Sequence, residues 1–189
     1  MQENIKAYCF TGYRPNKFDF DFSPQNPDYK HFENKLIDAV FSAAEQGVKE
    51  FYCGMAWGFD IVAGEVVAML KKLKPEWNVR LVAVVPFEKQ EASWDMEWQK
   101  RYSALLGVAD RVVYISRDYE KSCYHRRNRY MVDNTEAVIT FFDGKSGGTA
   151  VTLKYAQSKD KEIINIANTD SVNDLLYSPY VICEDEEDL

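Results

Sequence analysis

The chain is poor in the residues from which metal centres and disulfide frameworks are built. Among 189 residues there are two histidines, His31 and His125, and four cysteines, Cys9, Cys53, Cys123 and Cys183, none of them in a C-x-x-C pair. Apart from Cys123 near His125, neither histidine has another histidine or cysteine at ligand spacing, so no metal site is expected. The scattered cysteines also fit a reduced compartment. No apolar run is long enough to cross a membrane and no N-terminal signal segment is seen, which makes a soluble, cytoplasmic protein the expectation. Positive charge is in deficit as well. With 23 Lys+Arg against 30 Asp+Glu the net charge is -7, so the molecule as a whole repels polyanions, and nucleic acid is disfavoured as a partner unless a local basic patch dominates. Missing, finally, is the G-x-G-x-x-G fingerprint. Ile5 to Phe10 runs instead into Thr11-Gly12-Tyr13-Arg14-Pro15, and no cofactor is expected from that turn.

What is present is a regular alternation of short β-rich runs and helical periodicity. Strands are expected over Ile5 to Phe10, Phe51 to Cys53, Arg80 to Val85 with Pro86 as its stop, Arg111 to Ile115, Ala137 to Phe142 and Glu162 to Ile166. Helical spacing covers His31 to Gln46, where Phe32, Leu36, Ala39, Val40 and Ala43 share a face and Gly47 ends the pattern. Ile61 to Leu70, Trp94 to Leu106, Tyr124 to Asn134 and the segment after Thr149 also read as helices, with Trp94 and Trp98 packing one turn apart. Successive parallel strands need a crossover each time, so the alternation implies an α/β fold: a Rossmann-like three-layer α/β/α arrangement around a mostly parallel sheet of about six strands. One domain over 1–183 is expected, followed by an acidic tail at 184–189. Lys17 to Tyr29, with Pro24 and Pro27, reads as an irregular excursion, either an ordinary surface loop or a lid.

In such sheets ligands bind beyond the carboxyl ends of the strands, and three turns fall there. The first is the Thr11 turn. The second, Cys53-Gly54-Met55-Ala56-Trp57-Gly58-Phe59-Asp60, leads into a helix that is apolar nearly all round. Trp57 stands in this loop rather than on a periodic face, so it either stacks on a base or plugs the core; Asp60 either caps the helix or bonds a ribose hydroxyl. The third is Asp143-Gly144-Lys145-Ser146-Gly147-Gly148-Thr149. It leaves backbone N–H groups at the positive end of a helix dipole, a seat for phosphate, with Thr149 placed to cap the helix; the plainer reading is a tight βα turn. The most basic segment is His125-Arg126-Arg127-Asn128-Arg129. On a helix Tyr124, Arg127, Asn128 and Met131 form one stripe and Arg126, Arg129 and Asp133 another, so Arg127 faces inward and needs an anion, either a ligand phosphate or an internal carboxylate.

With these segments in place, the chain resembles the SLOG superfamily, a Rossmann-like group that includes the Lonely Guy phosphoribohydrolases and the Smf/DprA DNA-processing proteins, and within it the YpsA-like branch. The resemblance runs from Tyr8 to about Ile166. The Cys53 to Asp60 loop is similar to the S-G-x-A-x-G-I-D loop of the DNA-processing branch. His125 to Met131 resembles the phosphoribohydrolase H-E-R-K-x-x-M run, with Arg127 at the active-site arginine, and Ser146 to Thr149 looks like a shortened P-G-G-x-G-T loop. Two departures stand out. Thr152 takes the place of the glutamate needed for cleaving the N-glycosidic bond, and Asn128 that of the lysine after the arginine. A hydroxyl neither stabilises an oxocarbenium-like centre nor activates water as a carboxylate does.

The resemblance and the residues together imply a protein that binds a nucleotide or nucleotide-derived ligand, as a sensor or regulator. Gly147, Gly148 and Thr149 would hold the phosphate, Arg127 would neutralise it, and Trp57 would meet the base. Asp60, with Gly54 and Gly58 around it, would support the loop or the ribose, and Thr11, Gly12 and Arg14 would form the opposite wall. The enzymatic alternative is a nucleoside-monophosphate phosphoribohydrolase with a relocated carboxylate at Asp60, Glu65 or Asp143. A further alternative is single-strand DNA binding of the Smf/DprA type. A protein partner and a homo-oligomer stay open.

Overall fold

The computed structural model describes residues 5–167 and 171–176. Strands β1 (Ala7–Thr11), β2 (Glu50–Cys53), β3 (Arg80–Phe87), β4 (Arg111–Ser116), β5 (Ala137–Thr140) and β6 (Glu162–Asn165) form one sheet in the order β4-β3-β2-β1-β5-β6. Every neighbouring pair is parallel, so the expected Rossmann-like α/β architecture is present with a sheet that is parallel throughout. Helices α1 (Pro27–Glu45), α2 (Phe59–Leu73), α3 (Met96–Val108), α4 (Cys123–Asp133) and α5 (Gly148–Ser158) fill the crossovers, and α6 (Val172–Leu176) follows β6. The chain steps outward from β1 to β4, then returns to lay β5 on the other side of β1. Right-handed crossovers therefore put α1, α2 and α3 on one face and α4 and α5 on the other. In keeping with this, α2 packs between α1 and α3, while α4 packs on α5 and β3.

Burial follows from that arrangement. β1 is buried at all five positions and β3 from Leu81 to Pro86, because both of their faces are covered by helices. Phe10 and Phe51 stack at 5.8 Å across β1 and β2, with Phe59 of α2 set edge-on against Phe10. At the sheet edge the cover runs out, and Val112 and Tyr114 of β4 are exposed. Among the described residues no helix is long and apolar enough to cross a membrane.

The structure departs from the sequence reading at several boundaries. Pro86 does not stop β3, which continues to Phe87 opposite Ser116. β2 pairs with β3 only as far as Cys53 opposite Ala83, so the N–H that Pro86 lacks is not required on that side. Pro27 opens α1 instead of breaking it. It sits in the first turn behind Asn26, whose side chain accepts from the Asp28 N–H at 2.8 Å. The excursion before it folds onto the core: Phe18 is buried and rests on Phe22, Phe32 and Phe141. Trp94 precedes α3, whose N-cap is Asp95, and Thr149 is not a cap, because Gly147 holds that position in α5. The acidic tail and Cys183 lie outside the described residues.

Candidate functional site

The crevice of a doubly wound sheet opens where the strand order reverses, here between β1 and β5. On its β2 side, the loop between Cys53 and Phe59 is folded around a buried ion pair. Arg127, from the inward stripe of α4, donates through Nη1 to the Gly54 carbonyl and lies 3.4 Å from Asp60 Oδ2, each side chain being 7% exposed. Tyr124, Asn128 and Met131 share that face, whereas Arg126, Arg129 and Asp133 are exposed, as the periodicity requires. Gly54 has to be glycine, since a Cβ there would fall on the Arg127 guanidinium and 2.5 Å from the Asp60 carboxylate. Asp60 is in the first turn of α2 behind the N-cap Gly58, so it does not cap the helix; it accepts from Ala56 N–H at 3.4 Å. Burial pushes its carboxyl up to about 6, against the opposing pull of Arg127 and the Ala56 N–H. Arg127 Nε is buried with no partner among the described residues.

The Thr11 turn is keyed into this loop. A Cβ at Gly12 would fall on the Phe59 ring, one at Gly58 would lie 2.8 Å from the Tyr13 carbonyl, and the Phe59 N–H donates to that carbonyl at 3.1 Å. Thr11 itself is buried at the end of β1, opposite Thr140 of β5.

Across the crevice, the β5–α5 loop hangs from one phenol. The Tyr13 hydroxyl donates to Asp143 Oδ1 at 2.7 Å and accepts from the N–H groups of Asp143 at 3.3 Å and Lys145 at 3.2 Å. Burial, and then the bond to Asp143, raise the Tyr13 hydroxyl, which keeps it a neutral donor. Gly144 and Gly147 take φ of 100° and 127°, conformations that side chains disfavour. No side chain caps α5, so the positive end of its dipole is left to backbone N–H groups and to whatever lies nearby. Two lysines lie nearby. Lys17 Nζ donates to Ser146 O at 3.1 Å and would be 2.5 Å from a Cβ at Gly147, while Lys145 Nζ bonds Asp19 at 2.7 Å and Asp143 at 3.1 Å. Among the described residues Lys17 pairs with no carboxylate.

The two departures from the phosphoribohydrolase pattern prove to be neighbours. Asn128 Nδ2 donates to Thr152 Oγ1 at 2.8 Å, and that hydroxyl donates to the Gly148 carbonyl at 2.8 Å. Of the three carboxylates considered for catalysis, Asp143 is at the crevice and Asp60 is locked behind Gly54. Glu65 is clamped by Arg101 through bonds of 2.8 and 2.6 Å, joining α2 to α3. Trp57 is half-buried, stacked on Trp94 at 6.5 Å, with the Arg14 guanidinium 5.9 Å from its ring. Arg14 also acts electrostatically on Tyr124, which meets Phe87 at 5.9 Å, and Phe87 meets the exposed Tyr119 at 5.4 Å. Two aromatic groups thus lie near the carboxyl edge, Trp57 and Trp94 beside Arg14, and Tyr124 with Phe87 and Tyr119.

The sequence reading missed Tyr13, Lys17 and Lys145. Lys145 stood inside the glycine loop and Tyr13 beside Gly12, so both were within sight of the motifs. Lys17 lay in the segment set aside as irregular, and nothing local ties it to a loop some 130 residues away.

Two solved structures share this fold. DNA processing protein A from Helicobacter pylori, described for its single-stranded DNA binding mode, aligns with a TM-score of 0.57 and 16% identity over 90% of this chain and 78% of its own. DNA processing protein A from Streptococcus pneumoniae gives a TM-score of 0.52 and 15% identity over 92% of this chain, which spans about half, 54%, of that protein. These neighbours correct the expectation that nucleic acid is disfavoured as a partner. The net charge of -7 is a sum over the whole molecule, whereas binding answers to the local field, and Arg14, Lys17 and Lys145 are gathered at one edge. Among sequence relatives, the SPbeta prophage-derived protein YoqJ of Bacillus subtilis is 27% identical over 146 residues, 70% of this chain and 84% of that one. A UPF0398 protein of Halalkalibacterium halodurans is 27% identical over 161 residues, 84% of each chain, and one of Shouchella clausii 31% over 150 residues, 77% of each. The YspA SLOG family model matches residues 8–171, and the chain belongs to that family.

Proposed function

We propose that the protein binds a nucleotide or nucleotide-derived ligand at the β1–β5 crevice and serves as a sensor or regulator. One observation carries this reading: at the topological switch point, an uncapped helix N-terminus behind Gly147 is joined by the ammonium groups of Lys17 and Lys145. A phosphate there accepts from the backbone N–H groups of Gly148 and Thr149 and is neutralised by Lys17, whose present acceptor is a single carbonyl. Arg127, whose charge the buried Asp60 carboxylate offsets, holds the Gly54 loop as a wall rather than neutralising the phosphate itself, while Thr11, Gly12 and Arg14 supply the other side and Trp57 the contact to a base. The Asn128–Thr152 hydrogen bond argues for binding over N-glycoside cleavage, since a neutral pair bonded to the start of α5 stands where the hydrolases carry a glutamate and a lysine. The glycosidase alternative rests on Asp143, the carboxylate at the crevice.

The test is calorimetric titration of ligand-stripped protein with adenine nucleotides, ADP-ribose and NAD. Saturable binding of at least one, weakened about tenfold by Lys17→Ala, is the expected result. The reading fails if none of them binds, or if neither Lys17→Ala nor Gly147→Ala alters the affinity. Release of free base from a panel of nucleoside monophosphates, lost in Asp143→Asn, would turn the assignment to the enzyme.

A second reading, single-stranded DNA, is favoured by the two aromatic groups, Trp57 and Trp94 beside Arg14, and Tyr124 with Phe87 and Tyr119. Aromatic rings with the Arg14 guanidinium beside them suit unpaired bases and an adjoining phosphate. It predicts oligonucleotide binding that falls steeply with salt and weakens in Tyr119→Ala; oligonucleotides bound no better than mononucleotides would remove it.

A further inference from the structure

A second concentration of positive charge lies at the opposite edge of the sheet, where β2 and β3 begin. Lys49, Lys71, Lys74 and Arg80 line a cavity of about 630 Å3 with Asp110 as its one acidic wall residue. These four cations come from three stretches of chain: Lys49 just before β2, Arg80 at the start of β3, and Lys71 with Lys74 at the end of α2. The carboxyl end of α2 accounts for lysines in its own last turn, but not for Lys49 and Arg80. Internal partners use up only part of the charge. Lys71 pairs with Asp110, and Arg80 lies 3.2 Å from Glu50. Lys49 donates to the Trp77 carbonyl at 2.8 Å, leaving two of its three ammonium protons, and Lys74 stands over the Trp77 ring at 5.6 Å. Neither Lys49 nor Lys74 meets a carboxylate among the described residues.

We propose that this cavity is a binding site for a small phosphate compound carrying several negative charges, gripped by Lys49, Lys74 and Arg80. Its volume is that of a small-molecule pocket, and it is open to solvent on one side. Like charges converging in a molecule of net charge -7 repel one another when the cavity is empty of anion, and a multiply charged guest removes that repulsion. The site is separate from the β1–β5 crevice: Asp60 lies in the first turn of α2 and Lys71 in the last, about 16 Å apart along the helix axis.

Inorganic tripolyphosphate is the probe, titrated into the full chain and followed by calorimetry and by thermal shift. Saturable binding that strengthens as salt is lowered is expected, weakened at least tenfold by Lys74→Glu and unchanged by Lys100→Ala, which removes an exposed cation of α3 away from both sites. Lys74 is exposed, so the substitution leaves the packing alone; Lys49→Gln, checked for native circular dichroism, gives an independent loss of affinity. Absence of saturable binding overturns the site. So does binding that survives Lys74→Glu and is lost in Lys17→Ala, an outcome that assigns the anion to the crevice and leaves the proposed function standing.

Discussion

Two glycine loops end on the same edge of the sheet and have opposite characters. In the loop from Gly54 to Asp60 the polar groups find their partners inside the protein: Gly54 O and the Asp60 carboxylate meet Arg127, and Met55 O accepts from Gln90 at 3.0 Å. In the loop from Asp143 to Gly148 most residues are half-exposed, the helix behind it is uncapped, and its lysines reach only as far as carbonyls and carboxylates of the loop and of the chain around Lys17. A glycine next to a helix start does not by itself mark a ligand seat. What separates the two is whether the side chain that fills the space beside the glycine is locked in the interior. At Gly54 it is a buried guanidinium paired with Asp60; beside Gly147 it is the tip of an exposed lysine held by one carbonyl.

The sharpest way to break this contrast is Gly54→Ala. A methyl group has nowhere to go except into Arg127 and Asp60, and disturbing a buried pair while overpacking its surroundings costs about 3–5 kcal/mol. For a chain of this size that lowers the midpoint of thermal unfolding by roughly 10 °C or more. A shift of only one or two degrees would mean that the Gly54 loop is not the rigid member of the pair.

Titration of Asp60 tests the same lock more gently. Its carboxyl is raised from 3.8 to about 6, so between those values the folded state holds a proton that the unfolded state has released. Stability should therefore fall as pH rises from about 4 to about 6, by on the order of 2 kcal/mol, and level off above. Asp60→Asn keeps an acceptor for Ala56 N–H and Arg127 but removes the titration, and denaturant unfolding across that window should lose this component of the slope. Wild-type and variant profiles that run parallel would show that Asp60 is not the group responsible.

Thr152→Val probes the junction between the two loops. It removes the acceptor for Asn128 and the donor to Gly148 O at once, at a cost of about 1 kcal/mol. If the pair is only a structural tie, ligand affinity stays within a factor of about two while stability drops; a large loss of affinity with no loss of stability would move Thr152 into the site.

How much of this was legible beforehand depended on the range of the interaction. The strand–helix alternation sets the sheet, and the inward stripe of α4 was readable because helical period alone puts Arg127 and Met131 on one side and Arg126 and Arg129 on the other. Pro27 was placed in the irregular excursion, although behind Asn26 it is a helix-start signal, and Pro86 was misread as a stop because strand pairing beyond Cys53 is decided by a neighbour's length. The identity of Arg127's anion was left open between ligand and protein. No spacing in the sequence joins residue 127 to residue 60, and only the return of the chain from β4 to β5 does so. Tyr13 and Lys17 were missed for the same reason: their bonds to Asp143, Lys145 and Ser146 cross the switch point.

The smallest expected effect on stability belongs to the residue expected to matter most for binding. Lys17 is exposed and its one side-chain hydrogen bond is to a carbonyl, so Lys17→Ala should change unfolding free energy by less than about 0.5 kcal/mol. If its ammonium group completes the seat at Gly147, the same substitution weakens binding of a phosphate-bearing ligand about tenfold, close to 1.4 kcal/mol. Lys17→Arg should recover part of that loss by restoring charge at a different geometry. Gly54→Ala has the reverse signature, with stability lost first and affinity following only as the fold loosens. Measured side by side on unfolding and on titration, the two substitutions therefore fall on opposite axes if one loop is a lock and the other a seat, and on the same axis if the crevice is simply a second piece of packing.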